Sequence, residues 1–283
     1  MLTRLCVIGD AFQDVWLTAR ATRRSAEANI DIYDVTTKRV QPGGAHNVVR
    51  AISLLDPDTV ILKWFTGSDF EMPIKTRIVV NGQQVCRFDM HDQCFKFKIP
   101  DPSYIKDKVV VISDYNKGSI DNGQTEKIVA ANPSVIWVNS KLPESNLECL
   151  DMAGQSGSRV ATDVRWTCNE DEYKASKDFY DRQSCVYITK GANGIEKRTR
   201  TPKENGSMMS DNLFITSHPS IAKHVTSVCG AGDVVIAALA VCPSDRFDEL
   251  KWAMCAAAEA VEKPFTGGAE RTEVMKRYYD NCR

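Results

Sequence analysis

Asp233 closes the stretch Val225-Thr226-Ser227-Val228-Cys229-Gly230-Ala231-Gly232-Asp233, which runs into the apolar segment Val234–Val241. A turn of small residues opening directly into a helix leaves backbone N–H groups unpaired and aimed outward, an arrangement that binds anions, phosphate above all. A carboxylate would repel a phosphate, so an acid placed there has another task, and taking a proton is the one that fits. Anion-binding amides beside a single carboxylate spell phosphoryl transfer. The plainer reading is a capped helix after a Gly-rich loop, and Gly-Ala-Gly-Asp by itself does not exclude it.

A second turn of the same kind stands early in the chain. Gly43-Gly44-Ala45-His46-Asn47-Val48-Val49 reads as a Gly turn opening a helix that Asp56-Pro57 stops. Four apolar runs end in polar residues, at Asp10, Asp114, Asn139 and Thr189. In an open parallel sheet the carboxyl ends of the strands line the ligand crevice. Each of the four alone could be a solvated loop residue; together with two Gly turns they outline a site.

The elements that must position these residues follow from periodicity. Leu5–Asp10, Val60–Phe65, Val109–Asp114, Val135–Asn139 and Cys185–Thr189 read as buried strands, with a shorter one at 160–163. Helices are expected over 121–131, 144–153, 170–178, 232–241, 247–261 and 270–281. This alternation predicts a doubly wound α/β fold with a mostly parallel sheet flanked by helices. Residues 26–40 alternate loosely as an exposed strand or hairpin. Asn81-Gly82 between two apolar-rich runs predicts a hairpin within 76–98. The two could make a small separate sheet. The polar segment 199–218 reads as loops and short hairpin strands, and no internal repeat is present.

The 283 residues suit a single α/β domain spanning 1–283. Acidic and basic residues balance at a net charge of −1, which argues against a nucleic-acid groove or a polybasic membrane anchor. No apolar run approaches the ~20 residues that span a bilayer. The N-terminus reads as a strand rather than a signal peptide. Ten cysteines are scattered without a Cys-x-x-Cys pair. They read as buried thiols of a reducing cytoplasm rather than as disulfides or metal ligands. Cys229 is set apart because it adjoins the anion loop.

An ordered set of motifs resembles the ribokinase-like (PfkB) sugar kinases: Gly9-Asp10 with Asp14, Gly43-Gly44-Ala45-x-Asn47-Val48, Asn169-x-x-Glu172, Thr189-Lys190-Gly191-x-x-Gly194, and Gly230-Ala231-Gly232-Asp233. A narrower likeness is to the kinase domain that phosphorylates heptose 7-phosphate on its anomeric hydroxyl. It rests on Ser25–Ala28, Asn81–Asp89 and Ser113-Asp114-Tyr115-Asn116-Lys117-Gly118. The resemblance implies that Asp233 is the general base, with the Gly230, Ala231 and Gly232 amides holding the phosphate charge that shifts in the transition state. It implies ATP as phosphoryl donor, contacted at Asn169, Thr189, Gly191, Gly194, Gly230, Gly232 and Cys255, with Asn169 and Glu172 organising Mg²⁺ and its waters. The sugar or sugar phosphate would meet Asp10, Asp14, Gly43, Gly44, Asn47 and Asp114. Arg87, Lys117 and Lys141 would meet a phosphate already on it, although a solvated charge is the commoner fate of such residues. Residues 12–40 and 73–98 would form a β lid, through which relatives often pair as homodimers.

The chain also departs from the pattern. The stretch between Phe65 and Arg77 is short, where relatives carry a further helix and strand. Ser227 and Cys229 stand where relatives commonly have Asp and Thr, so monovalent-cation activation is not inferred. Asn139-Ser140-Lys141 replaces Asp-Pro-Lys. Cys255 replaces an adenine-contacting Asn. His46 is expected to pack locally or touch substrate. A nucleoside or other small-alcohol kinase, and a catalytically silent nucleotide- or sugar-binding protein, remain the alternatives. A Rossmann dehydrogenase is disfavoured because no Gly-x-Gly-x-x-Gly follows the first strand.

Overall fold

Strand β1 (Arg4–Gly9) lies at the heart of the molecule, with Leu5, Cys6, Val7 and Ile8 all at most 1 % exposed. The computed structural model describes residues 4–64, 72–94, 96, 101–147, 149–150, 162–200 and 213–281. Because side chains alternate across a strand, Leu5 and Val7 pack on one face while Cys6 and Ile8 pack on the other. Burial on both faces is why the strand reads as a continuous apolar run.

The other elements, in chain order, are β2 (Ala11–Arg24), β3 (Asp31–Gly44), α1 (Ala45–Leu55), β4 (Val60–Trp64), β5 (Ile74–Val80), β6 (Gln83–Met90), β7 (Val109–Asp114), α2 (Asn122–Ala130), β8 (Val135–Ser140), α3 (Pro143–Asn146), β9 (Asp163–Asn169), α4 (Glu170–Ala175), α5 (Lys177–Asp181), β10 (Cys185–Thr189), β11 (Ile195–Arg200), β12 (Leu213–His218), α6 (Ala231–Ala240), α7 (Glu249–Val261) and α8 (Arg271–Asp280). Eight strands form the main sheet in the order β12-β11-β10-β9-β8-β7-β1-β4. Those from β4 to β10 in that row run parallel, and β11 and β12 are antiparallel additions. One face packs against α1, α6, α7 and α8, the other against α2, α4 and α5. The chain leaves β1 for β4 on one side and for β7 on the other, which makes the β1/β7 boundary the switch point where ligands bind in such sheets.

A second sheet of four strands has the order β3-β2-β5-β6. It is mixed, since β2 pairs antiparallel with β3 but parallel with β5. The expected Asn81-Gly82 hairpin joins β5 to β6, with both residues at positive φ. Residues 26–40 fall within a longer antiparallel pair, β2 and β3, that begins immediately after Asp10. The helix expected over 170–178 is broken at Ser176 into α4 and α5. The helix expected over 144–153 is not continuous: α3 ends at Asn146, Leu147 leaves the helical backbone as its C-cap, and 148 and 151–153 lie outside the described residues. The strand expected at 160–163 begins at Asp163, its first two residues likewise lying outside.

Gly44 is where the two sheets meet. Its φ is +58°, and a Cβ there would stand 2.2 Å from the Asp10 carbonyl oxygen. That carbonyl accepts the Ala45 N–H at 2.9 Å and so fixes the start of α1. Only glycine meets both the left-handed backbone and the close approach.

Candidate active site

Asp233 occupies the third position of α6, whose N-cap is Gly230 in the left-handed region (φ 76°) with no side chain capping it. An uncapped start leaves first-turn amides unsatisfied. The Ala231 N–H is an exception to what the sequence led us to expect, because it donates to the Val228 carbonyl at 3.2 Å. The Asp233 side chain is buried, and each oxygen accepts one hydrogen bond: Oδ2 from Asn47 Nδ2 at 2.9 Å, Oδ1 from the Tyr115 hydroxyl at 2.8 Å. Burial raises its pKa to about 6, against the lowering effect of those two donors; nearby Asp14 raises it further and Lys141 lowers it.

Helix α1 delivers Asn47 from one side, while the loop after β7 delivers Tyr115 from the other. Asp10 holds that loop. Its Oδ2 accepts the N–H groups of Tyr115 (2.8 Å) and Lys117 (2.9 Å), and its Oδ1 accepts the Ser119 N–H (3.1 Å) and hydroxyl (2.5 Å). The carboxylate expected to face sugar hydroxyls is therefore turned into the protein, fully buried, as a loop clamp. Asp114 likewise faces inward, accepting the Asn116 N–H and the Ser140 hydroxyl at 2.8 and 2.7 Å, which ties β7 to the end of β8.

Asp14 does point to the site region but carries an ion pair with Arg77 at 2.5 Å, the two side chains 4 % and 10 % exposed. Cys229 Sγ lies 3.9 Å from the same carboxylate. Burial and Asp14 push that thiol's pKa up, so Cys229 is no activated nucleophile. Gly43 pairs with Phe12, where a Cβ would fall 2.3 Å from the ring and 2.8 Å from Asp14 Oδ2. His46 is half-buried, and burial, with Lys63 nearby, lowers its pKa.

The small sheet presents cations on the same side. Lys75 lies 3.8 Å from the Phe12 ring centre and 4.9 Å from that of Tyr115; Arg77 lies 4.8 Å from that of Trp16. Burial, with help from Lys117 and Arg87, lowers the Lys75 pKa to about 8. Arg87 pairs with Asp89 across 2.6 Å, and Lys117 pairs with Asp92. Lys75, Arg77 and Tyr115 were missed from sequence. A signal was available, since Lys75 and Arg77 are two apart on a strand and so share a face.

Beyond Tyr115 opens a cavity of about 520 Å³ at the carboxyl ends of β8, β9 and β10. Asn139, Lys141, Asn169, Glu172, Thr189, Gly191 and Gly194 line one side and Gly230–Gly232 another. Met254, Ala257, Ala258 and Val261 of α7 supply an apolar wall. Cys255 does not face the cavity; it is fully buried in the core. The wall residues follow the i, i+3, i+4, i+7 spacing of one helix face, and position 255 lies off it.

Asn169 and Glu172 cap α4 reciprocally: Asn169 Oδ1 accepts the Glu172 N–H at 2.8 Å, and Glu172 Oε2 accepts the Asn169 N–H at 2.9 Å. Glu172 Oε1 also meets the Lys141 ammonium. Among the described residues no group of three His, Cys, Asp or Glu side chains gathers to hold a metal. Two carboxylates at the cavity wall, Asp171 and Glu172, with no third beside them among the described residues, fit a Mg²⁺ that keeps most of its waters rather than an ion caged by protein.

Comparison with solved structures decides the fold. A ribokinase from Arabidopsis thaliana, solved with ribose and ATP, superposes with a TM-score of 0.70 over 98 % of this chain and 99 % of its own, at 14 % identity. The chain has a ribokinase-like fold. A nucleoside kinase from Methanocaldococcus jannaschii shares the same fold (TM-score 0.64, 99 % of each chain, 15 % identity). In sequence, the bifunctional protein HldE of Helicobacter hepaticus is 26 % identical over 323 aligned positions, covering 96 % of this chain. The ribokinase-like chain spans 63 % of that relative's length. No family model matches it. The alignment is longer than the chain itself, so the relative carries insertions.

Proposed function

We propose that this chain is an ATP-dependent kinase that transfers the γ-phosphate to a hydroxyl of a sugar or sugar phosphate. The observation that carries the reading is Asp233. It is a buried carboxylate at an uncapped helix start, bonded to Asn47 and Tyr115, with a nucleotide-sized cavity on one side and the small sheet on the other. ATP lies in the cavity with its base against the α7 wall and its phosphates toward Gly230–Gly232. The acceptor lies between Asp233 and the face of the small sheet that carries Phe12, Asp14, Lys75 and Arg77.

Asp233 takes the acceptor proton as the oxygen attacks the γ-phosphorus. The Gly230 and Gly232 amides and the Lys141 ammonium stabilise the charge that moves from the γ- toward the β-phosphate. Mg²⁺, organised from the Asn169–Glu172 corner, would neutralise phosphate charge. The small sheet acts as a lid that excludes water, which would otherwise hydrolyse ATP. Its exposed Val35, Val40, Val85, Phe88 and Met90 fit pairing with a second copy as a homodimer.

For the acceptor, we favour a phosphorylated sugar of the heptose 7-phosphate type. Lys75 has no ion-pair partner among the described residues, and Arg87 and Lys117 add positive charge near it. A nucleoside kinase of the same fold is the second reading, because that fold also serves nucleoside kinases. The test is a screen of heptose, hexose and pentose phosphates and nucleosides for acceptor-dependent ADP release, with product regiochemistry read by NMR. Phosphorylation of a sugar phosphate is expected; turnover confined to nucleosides would favour the second reading. Nucleotide binding without turnover on any acceptor would make the chain a binding protein.

A further inference from the structure

The proposed reaction leaves unexplained a second hydroxyl already on the base. The Tyr115 phenol donates to Asp233 Oδ1 at 2.8 Å, within the reach an acceptor hydroxyl needs to give up its proton. This phenol is not there by loose packing. Its backbone N–H is held by buried Asp10, and its ring meets Phe12 edge-on at 5.0 Å and 78°. Lys75 and Lys141 stand 4.9 and 5.3 Å from the ring centre. Tyr115 also lines the cavity, so it stands where the nucleotide side meets the lid side.

We propose that Tyr115 is the positioning residue for the base: its hydroxyl fixes the Asp233 carboxylate and keeps it deprotonated in the free enzyme until an acceptor hydroxyl takes over that oxygen. The proposal rests on the kinase reading for its kinetics but not for its electrostatics. A donor bonded to the ionised form favours that form, and with Asn47 it makes two donors on one buried carboxylate. The remaining charged and titratable groups facing the pair come from every neighbouring element: Asp14 from β2, Lys75 and Arg77 from β5, Lys141 after β8 and Cys229 before α6. Asp14 opposes ionisation and Lys141 favours it. Neither touches Oδ1, which leaves Tyr115 as the direct donor to that oxygen.

Tyr115→Phe deletes the hydroxyl and keeps the ring against Phe12. Two readouts on the full chain test it. The first is the pH titration of the Asp233 carboxyl by ¹³C NMR, its resonance assigned by its loss in Asp233→Asn. Removing the donor is expected to move the midpoint up by about one pH unit. This arm needs no substrate, so it stays readable even if the wild type turns over no acceptor, the result that would sink the kinase reading instead. The second is the pH profile of kcat/KM, which reports the free enzyme. Its acid limb is expected to move up in step, with the KM for ATP within about two-fold and activity recovering at higher pH. Difluorotyrosine at position 115, a stronger donor, is expected to move the midpoint the other way and serves if the phenylalanine variant does not fold. A carboxyl that titrates unchanged in both variants overturns the proposal, as does a rate loss equal at every pH.

Discussion

Asp233 is held ionised in a place that disfavours charge, and that has consequences for both activity and stability. Its pKa stands at about 6 against an ordinary value of 3.8. The folded state therefore binds the proton more tightly than the unfolded chain does. The stability this contributes is complete below about pH 4 and is lost as pH rises through 6, on the order of 3 kcal/mol in all. Asp233→Asn should lower turnover by about 10²–10⁴-fold while raising the melting temperature at pH 8. The unpartnered Asn47 Oδ1 supplies the acceptor a new amide needs once the Asn47 amide turns over. Calorimetry of the variant at pH 4 and pH 8 checks the sign: the gain should appear at pH 8 and fade at pH 4. Equal melting temperatures at both would mean that burial does not strain this carboxylate. The same lowered readiness to ionise predicts that wild-type kcat/KM falls below about pH 6, since the base must be deprotonated to act.

At the scale of elements, the junctions matter more than the elements. Gly44 joins β3 to α1 at φ +58° with the Asp10 carbonyl 2.2 Å from where a Cβ would sit. Gly44→Ala should cost roughly 2–4 kcal/mol by forcing both backbone strain and a shift of Asp10. Urea unfolding measures this, and a loss under about 0.5 kcal/mol would show that the junction relaxes freely. The Asp14–Arg77 pair links β2 to β5 with both side chains nearly buried. Arg77→Met should destabilise by about 3 kcal/mol because it strands a buried carboxylate, and Asp14→Asn in the same background should recover part of the loss. Elements of this kind were legible from sequence where burial is two-sided, as in β1 and β10, because a continuous apolar run has few other uses. Their edges were not. Ser176 breaks the helix begun at Glu170 with a backbone that no local pattern announces.

At the scale of the whole molecule, the cavity and the small sheet make binding readable without chemistry. A non-hydrolysable ATP analogue with Mg²⁺ should stabilise the fold by RT ln(1 + [L]/Kd), about 2.7 kcal/mol at a hundred-fold excess over Kd, and so raise the melting temperature. Val261→Trp should erase that shift, since Val261 belongs to the apolar wall of the cavity. Val40→Asp together with Phe88→Asp, on exposed positions of the small sheet, should leave the nucleotide shift intact and lower the mass seen by light scattering if the sheet pairs two copies. Among the described residues no helix is long and apolar enough to cross a membrane, and no cysteine is in a disulfide.

The sequence by itself determined the alternation of strands and helices, the two glycine turns and the place of Asp233 at a helix start, because each is local. Buried strands must be apolar, left-handed turns need glycine, and a helix start must meet its orphan amides. Which carboxylates would face a ligand was decided only by tertiary structure. Asp10, Asp114 and Asp233 all stand at the ends of buried runs or the start of a helix. Yet Asp10 and Asp114 spend their oxygens on nearby loops, while Asp233 is left with one amide and one phenol. Cys255 shows the same limit in a helix, one residue around from the wall it was expected to line. A carboxylate's role is set by which donors reach it, and for Asp233 those donors, Tyr115 and Asn47, come from 118 and 186 positions away, brought together by the packing of the two sheets on α1 and α6.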